Sequence, residues 1–500
     1  MNLPPTGQDR PEAAARPATV LAALAAAQFT VMLATSIVNV ALPHIRAGIG
    51  LSDGGTTWVV NAYGLAFGAL LLAGGRAADL LGRRRVLAGG LALFATASAA
   101  AGLATDSGVL IAARAVQGLG AAAIAPAALA LAMGLAPSGA GRTKALGVWG
   151  AVSGAGAAGG VLLGGVLTQA WGWPWVFHAV AIGTALVLGA VLAFVPREGG
   201  QQAGRRAADG SDGRAGGRFD LLGTAAVTLA LTCLVWGLTT ARGAGWTDAR
   251  VLGTLAASTV LLTVFAAIER RRPNALVPPR LFGTGRVAAG NLLMALLGSV
   301  WIALFFFLPL YQQQVLGESP LLTGAGQLPL AAANMLAATL APQVTRRLGG
   351  GATATAALLT EAAGFLWLSR LDADGSYLAD VLGPTVLIGL GLGVAFVQLT
   401  ALAVDGVPPQ DAGLAGGLVN TTRQVGGAVG LAALATLAGS VTAGATGGQG
   451  HLVALTAGYR AAFAVSAAVL VLAALLAPLL TCRRAGGRAA AAAPVPQGAR

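Results

Sequence analysis

Long apolar runs alternate with short polar breaks along most of this chain. A helix needs about 20 mostly apolar residues to cross the hydrocarbon of a bilayer. Such runs recur near 19–43, 57–75, 86–105, 108–135, 143–168, 175–196, 219–241, 251–269, 287–312, 321–345, 351–369, 378–404, 411–440 and 458–481. Inside hydrocarbon every backbone polar group must be paired within the protein, which leaves helices or a closed barrel. The alternation of roughly ten-residue segments that marks a barrel is absent, and the Ala-Leu-Val runs suit helices. The pattern therefore predicts an all-α integral membrane protein with about fourteen spans. The first run has no clean cleavage site and continues into a polar motif, so it is expected to remain as a helix.

The breaks set the expected organisation. Residues 197–218 form one long polar, Gly-rich segment that reads as a disordered linker. Around it the chain divides into a tail (1–17), a six-span half (18–196), the linker, two further spans (219–270), a second six-span half (285–482) and a tail (483–500). Basic residues accumulate on cytoplasmic loops. Placing both termini inside puts about 24 of the 31 basic residues on the cytoplasmic side. The expected location is a bacterial cytoplasmic membrane, with the chain acting as a monomer.

Composition narrows the chemistry. Hydrophobic residues make up 56%, charged residues 10%, and mean hydropathy is +0.75. A water-soluble surface needs about 25% charged residues. The net charge is +13, yet the arginines lie in short runs between apolar segments, which points away from nucleic acid. Cys233 and Cys482 fall in apolar runs, and His44, His178 and His451 are scattered. Neither set has metal-site or disulfide-framework spacing, so no metal or cofactor is expected. No phosphate-binding loop occurs, and Lys144 is the only lysine. There is also no H-E-x-x-H and no G-x-S-x-G, so neither an ATP-driven pump nor an enzyme fits.

Three motifs carry a resemblance. Residues 75–86, GRAADLLGRRRV, match a loop signature at Gly75, Asp79, Gly82, Arg83 and Arg84, and depart from it at Ala77 and Leu80. Asp79 and Arg83 stand one turn apart and can pair. Residues 110–121, LIAARAVQGLGA, put Arg114 and Gln117 on one helix face. An arginine at this depth is costly and is expected to face a cavity. Residues 150–165 set Gly156, Gly160, Gly164 and Gly165 along a smooth face for close packing, with Val161 where the matching motif has proline. Together these resemble the major facilitator superfamily. LATSIVNVALP (33–43) and DGVPPQDAGLAGGLVNTTRQVGGAVG (405–430) resemble its fourteen-span drug:proton antiporters.

The resemblance implies two six-helix bundles plus two extra helices, and export of small lipophilic molecules by alternating access, driven by proton entry. It implies that the first, fourth, 287–312 and 378–404 spans line a midplane cavity. Thr35, Asn39, Arg114, Gln117, Asn291, Trp301 and Gln398 are its candidate lining residues; helix–helix hydrogen bonding is the plainer role of each. Asp79 and Arg83 are expected to act in conformational switching. Asp405, Asp411, Asn420 and Arg423 are expected at the cytoplasmic interface, with Arg423 paired to Asp405 or Asp411 or anchored to lipid headgroups. The family's first-span aspartate is Ala34 here, and Glu361 is the one acid near a span centre. Glu361 is therefore the leading candidate for proton coupling. With Arg114 buried and almost no interior carboxylate, neutral or anionic substrates are expected. A dedicated exporter or facilitator for one metabolite, weakly coupled or uncoupled, is the alternative. A non-transporting receptor or scaffold is a more distant one.

Overall fold

The computed structural model describes residues 17–135, 139–196, 221–271, 281, 286–407, 412–445 and 450–482. Among them every regular element is helical. The helices are α1 (Pro17–Ile49), α2 (Asp53–Leu81), α3 (Arg83–Gly102), α4 (Ser107–Leu135), α5 (Gly139–Trp171), α6 (Pro174–Phe194), α7 (Leu221–Ala244) and α8 (Ala249–Arg271). They continue as α9 (Arg286–Gln314), α10 (Pro320–Gly326), α11 (Leu328–Leu348), α12 (Gly350–Leu368), α13 (Leu382–Val404), α14 (Ala412–Ala445) and α15 (His451–Cys482). Among the described residues thirteen candidate spans are long and apolar enough to cross a membrane, α10 and α11 together counting as one. The remaining helix, α12, interrupts its apolar run with Thr353, Thr355, Thr360 and Glu361.

Local chemistry sets the breaks. The Ser52 hydroxyl accepts from the Gly55 amide and starts α2, as an N-cap should. Gly82 stands at φ 96, a conformation that a side chain resists, and lets α2 fold back into α3. Gly349, at φ 80, does the same between α11 and α12. Two elements depart from the simple reading. The 321–345 run is two helices separated at Gln327, because Ser319 and Pro320 start a short helix before the main one. The 378–404 run opens with a π-helical turn, Tyr377–Val381, capped by Ser376.

The packing repeats. In the first half α1 packs on α5, α2 on α4, and α3 on α4 and α6. In the second, α9 packs on α14, α11 on α13, and α12 on α13 and α15. The order of partners is the same, as expected of an internally repeated transporter fold. The glycine faces repeat as well. A methyl carbon at Gly156 would stand 2.9 Å from Met32 Cβ, and one at Gly160 2.7 Å from the Leu33 carbonyl oxygen. In the second half, one at Gly426 would stand 2.8 Å from Ala295 Cα. Small residues bring α5 onto α1 and α14 onto α9 closely enough for backbone contact.

The halves meet through α2 with α14, α1 with α9, and α5 with α10 and α11. At the end away from Arg76 and Arg83–Arg85, Gln313 Nε2 donates to the Val40 carbonyl at 2.8 Å, and the Leu321 amide to Gln169 Oε1 at 3.2 Å. There Gly165 packs on the Pro320 carbonyl and Gly324 on Val161. In the α9–α10 connection Glu318 accepts from Gln312 Nε2 at 3.1 Å, and burial pushes its carboxyl above the usual carboxylate range. The added pair α7–α8 lies outside this frame. Trp58 of α2 donates to Thr239 Oγ1 at 3.2 Å, and Thr436 of α14 to the Leu238 carbonyl at 2.8 Å. Helix α7 is thus bonded to both halves. The 197–218 linker and both tails lie outside the described residues, apart from Pro17.

Candidate functional site

Two arginines mark the interior. Arg114 lies two turns into α4 and is 1% exposed. Its Nε donates to the Val59 carbonyl at 3.0 Å. Its Nη1 donates to Gln117 Oε1 at 2.6 Å and to the Ala34 carbonyl at 3.4 Å. Gln117 Nε2 then donates to Ser98 Oγ at 2.7 Å. The guanidinium carbon stands 4.4 Å from the Tyr63 ring centroid, a cation–π distance. The Tyr63 hydroxyl donates to the Val31 carbonyl at 3.1 Å and receives Thr35 Oγ1 at 3.3 Å. One cation therefore joins α1, α2, α3 and α4. The sequence places Arg114 toward a cavity; the structure instead fills its hydrogen-bonding edges with carbonyls and an amide.

Arg423 is placed differently from its expectation. The sequence sets it at the membrane interface beside Asp405 or Asp411. Here it lies eleven residues into α14, about 16 Å along the axis. Its guanidinium carbon is 4.9 Å from the Trp301 ring centroid and 5.7 Å from that of Phe396. Those two rings meet edge to face at 5.7 Å. Trp301 stands at the middle of α9, and the Arg423 backbone packs against Gly298 one turn earlier. Nη2 donates to Asn420 Oδ1 at 2.6 Å, while Nε is buried with no acceptor. Asp405 pairs with Arg286. Asp411 lies outside the described residues. The NTTRQ stretch reads as a polar edge, but α14 starts well before it.

The two arginines face one region. Tyr63 lies within Coulombic reach of both. Arg423, Trp301, Phe396 and Thr35 are each half-buried. Thr35 and Tyr63 come from the first half, and Arg423, Trp301 and Phe396 from the second. Sequence reasoning missed Tyr63 and Phe396. Tyr63 is one of only four tyrosines in the chain, and a lone phenol in an apolar run was the available signal.

The remaining candidates scatter. Asn39 is 6% exposed, and its Oδ1 has no hydrogen-bond donor. Asn61 of α2, which the motifs do not reach, is 1% exposed with both amide atoms unpartnered. Asn291 donates to the Val287 carbonyl at 2.8 Å and accepts from Thr422 at 3.0 Å, joining α9 to α14. Gln398 donates to Thr345 Oγ1 at 2.5 Å, in the last turn of α11, so it stands near the end of that helix. Glu361 is fully buried with both carboxyl oxygens unpartnered. It sits on α12, behind α13 and away from the first half. Gly391 of α13 lies directly against it, where a methyl carbon would stand 2.8 Å from Glu361 Cβ.

At the end of α2, Arg83 Nη2 pairs with Asp79 at 3.1 Å and Nη1 reaches the Ala130 carbonyl of α4 at 3.5 Å. Arg84 donates to the Val195 and Leu192 carbonyls at 2.7 and 2.8 Å, capping the end of α6. Asp79 keeps 65% of its side-chain surface exposed. The loop motif thus binds α2, α3, α4 and α6 together and presents an acid of α2 at the surface.

Comparison with known proteins agrees with this architecture. The family model described as Major Facilitator Superfamily matches residues 24–431. The chain is 40% identical to the cephamycin export protein CmcT of Amycolatopsis lactamdurans, over 95% of this chain and 94% of that protein. It is also 40% identical to the puromycin resistance protein pur8 of Streptomyces alboniger, over 92% and 90% respectively. Among solved structures, the POT family transporter PepTSo superposes with a TM-score of 0.66 at 15% identity, covering 93% of this chain and 98% of that one. With the repeated six-helix halves, the motifs at Asp79 and Arg114, and relatives matching over nearly the whole length, the chain belongs to the Major Facilitator Superfamily.

Proposed function

We infer that the protein exports small amphipathic molecules, antibiotics or related metabolites, from the cytoplasm by alternating access. The observation that carries this reading is the central site. Half-buried polar and aromatic groups from both halves converge near the helix midpoints, where repeated transporters hold their substrates. Relatives named for cephamycin export and puromycin resistance support the direction of transport and the class of cargo. The arginine-rich helix ends support a cytoplasmic placement for that side and for both termini. The contacts at Gln313, Leu321, Gly165 and Gly324 then close the opposite, external side. The substrates are neutral or anionic, because Arg114 and Arg423 put two cations beside the site with no carboxylate among the described residues to offset them.

Proton entry supplies the driving force in this reading. Ala34 cannot carry a proton, which leaves Glu361. Glu361 does not line the central site, so its coupling is mechanical: it lies against Gly391, just over one turn from Phe396 on the same helix. Expression in a bacterium stripped of its main efflux pumps should lower accumulation of a neutral amphipathic antibiotic severalfold. A protonophore should restore accumulation. Unchanged accumulation in expressing cells would reject export. Export that persists undiminished with Glu361→Gln and with a protonophore would favour the uncoupled facilitator.

A further inference from the structure

We propose that Arg423 is the recognition cation of the central site, and that it takes the carboxylate of an organic acid whose apolar ring lies against Trp301 and Phe396. This rests on the export reading above and adds the chemical class of the cargo.

The argument begins with donors. A guanidinium offers five N–H groups in a planar fork. Arg423 places one hydrogen bond in the protein, from Nη2 to Asn420. Nε is buried without an acceptor, and no hydrogen bond joins Nη1 to the described residues. Leaving such a donor unpaired is costly, and more so on a charged group. Arg114 is the internal control: its Nε and Nη1 are both satisfied by the protein and its side chain is closed off. Among the described residues the acids are committed elsewhere or remote. Asp405 pairs with Arg286, Asp79 with Arg83, and Glu361 lies behind α13.

The aromatic rings complete the site. The Arg423 guanidinium carbon stands 4.9 Å from the Trp301 ring centroid and 5.7 Å from that of Phe396, both cation–π distances. A stacked guanidinium keeps its edge free for bidentate pairing with a planar oxyanion. The same rings present apolar surface to a ring on the ligand, and aromatic pairs of this kind add to simple area burial. Asn420 accepts from Nη2 and restrains the fork. Across the site, Tyr63 and Thr35 bond to each other and to the Val31 carbonyl, so they offer no competing negative charge. A cationic ligand would meet two arginines.

The test uses purified full-length protein in detergent and a matched pair of probes, 1-naphthaleneacetic acid and its methyl ester, at neutral pH. Wild type should bind the acid about tenfold more tightly than the ester. Arg423→Gln should cost the acid about tenfold more than it costs the ester, erasing the preference. Arg423→Lys keeps the charge without the fork and should give an intermediate preference; it serves if the Gln variant folds poorly. Equal binding of the two probes by wild type would overturn the proposal. So would loss of both probes in equal proportion in either variant, or failure of wild type to bind either. The export reading fails separately, through unchanged drug accumulation in expressing cells, so an exporter that treats acid and ester alike would sink only this inference.

Discussion

Arg114 and Arg423 are the same residue type, one in each half, and the protein treats them in opposite ways. Arg114 is enclosed by the carbonyls of Val59 and Ala34 and by Gln117, and through Gln117 it is linked to Ser98 of α3. Arg423 is held by two aromatic rings and one asparagine, with donors left over. The first is a structural hub that happens to be charged. The second is a charge held in place for something outside the protein. Arg114 is closed off and Arg423 only half-buried, and the count of satisfied donors separates them in the same sense.

Several measurements would break or sharpen that contrast. The largest effect is expected at Arg114. Arg114→Gln removes charged hydrogen bonds to two carbonyls and the contact with Tyr63, and should cost about 3 kcal/mol of stability. Thermal unfolding of the purified protein reads this directly. An unshifted midpoint would deny Arg114 its structural role. Arg423→Gln should leave the unfolding midpoint near wild type while shifting acid-over-ester preference by about 1.4 kcal/mol, or tenfold. If the stability losses were reversed between the two variants, the comparison would be wrong.

Trp301→Ala should come next. It removes one cation–π partner, worth about 0.5–2 kcal/mol, and the surface on which a ligand ring rests. Both probes should weaken, unlike the selective loss at Arg423. A loss confined to the acid would mean that Trp301 acts only by holding Arg423. The smallest stability effect is expected at Asp79. Its pair with Arg83 is exposed and contributes at most about 1 kcal/mol. Asp79→Asn should therefore leave the unfolding midpoint and the probe affinities in place while slowing turnover, measured as initial export rate. Collapse of affinity with turnover retained would reject the switching role.

Much of this architecture is written in the hydrophobic pattern. Apolar runs of membrane length reveal helices without knowledge of their partners, and the arginine breaks support the sidedness proposed above. The site is less legible, for physical reasons. Arg114 is satisfied by main-chain carbonyls, and no residue type announces a carbonyl. Arg423 reads as interfacial because NTTRQ is locally polar, yet the helix containing it begins a full three turns earlier. Phe396 lies in an apolar run where an aromatic looks like any lipid-facing residue. Gln398 reads as a lining residue, but bonds Thr345 near a helix end. Glu361 was visible as the lone mid-span acid; its position behind α13 was set by packing.

The most direct test is uphill transport. In inverted membrane vesicles containing the full-length protein, an imposed proton gradient, acidic inside, should drive the naphthaleneacetate probe and its ester into the vesicles against their concentration. Dissipating the gradient should release them, and Arg423→Gln should reduce accumulation of the acid more than that of the ester. Passive equilibration of both probes at the same rate in vesicles with and without the protein would contradict the account.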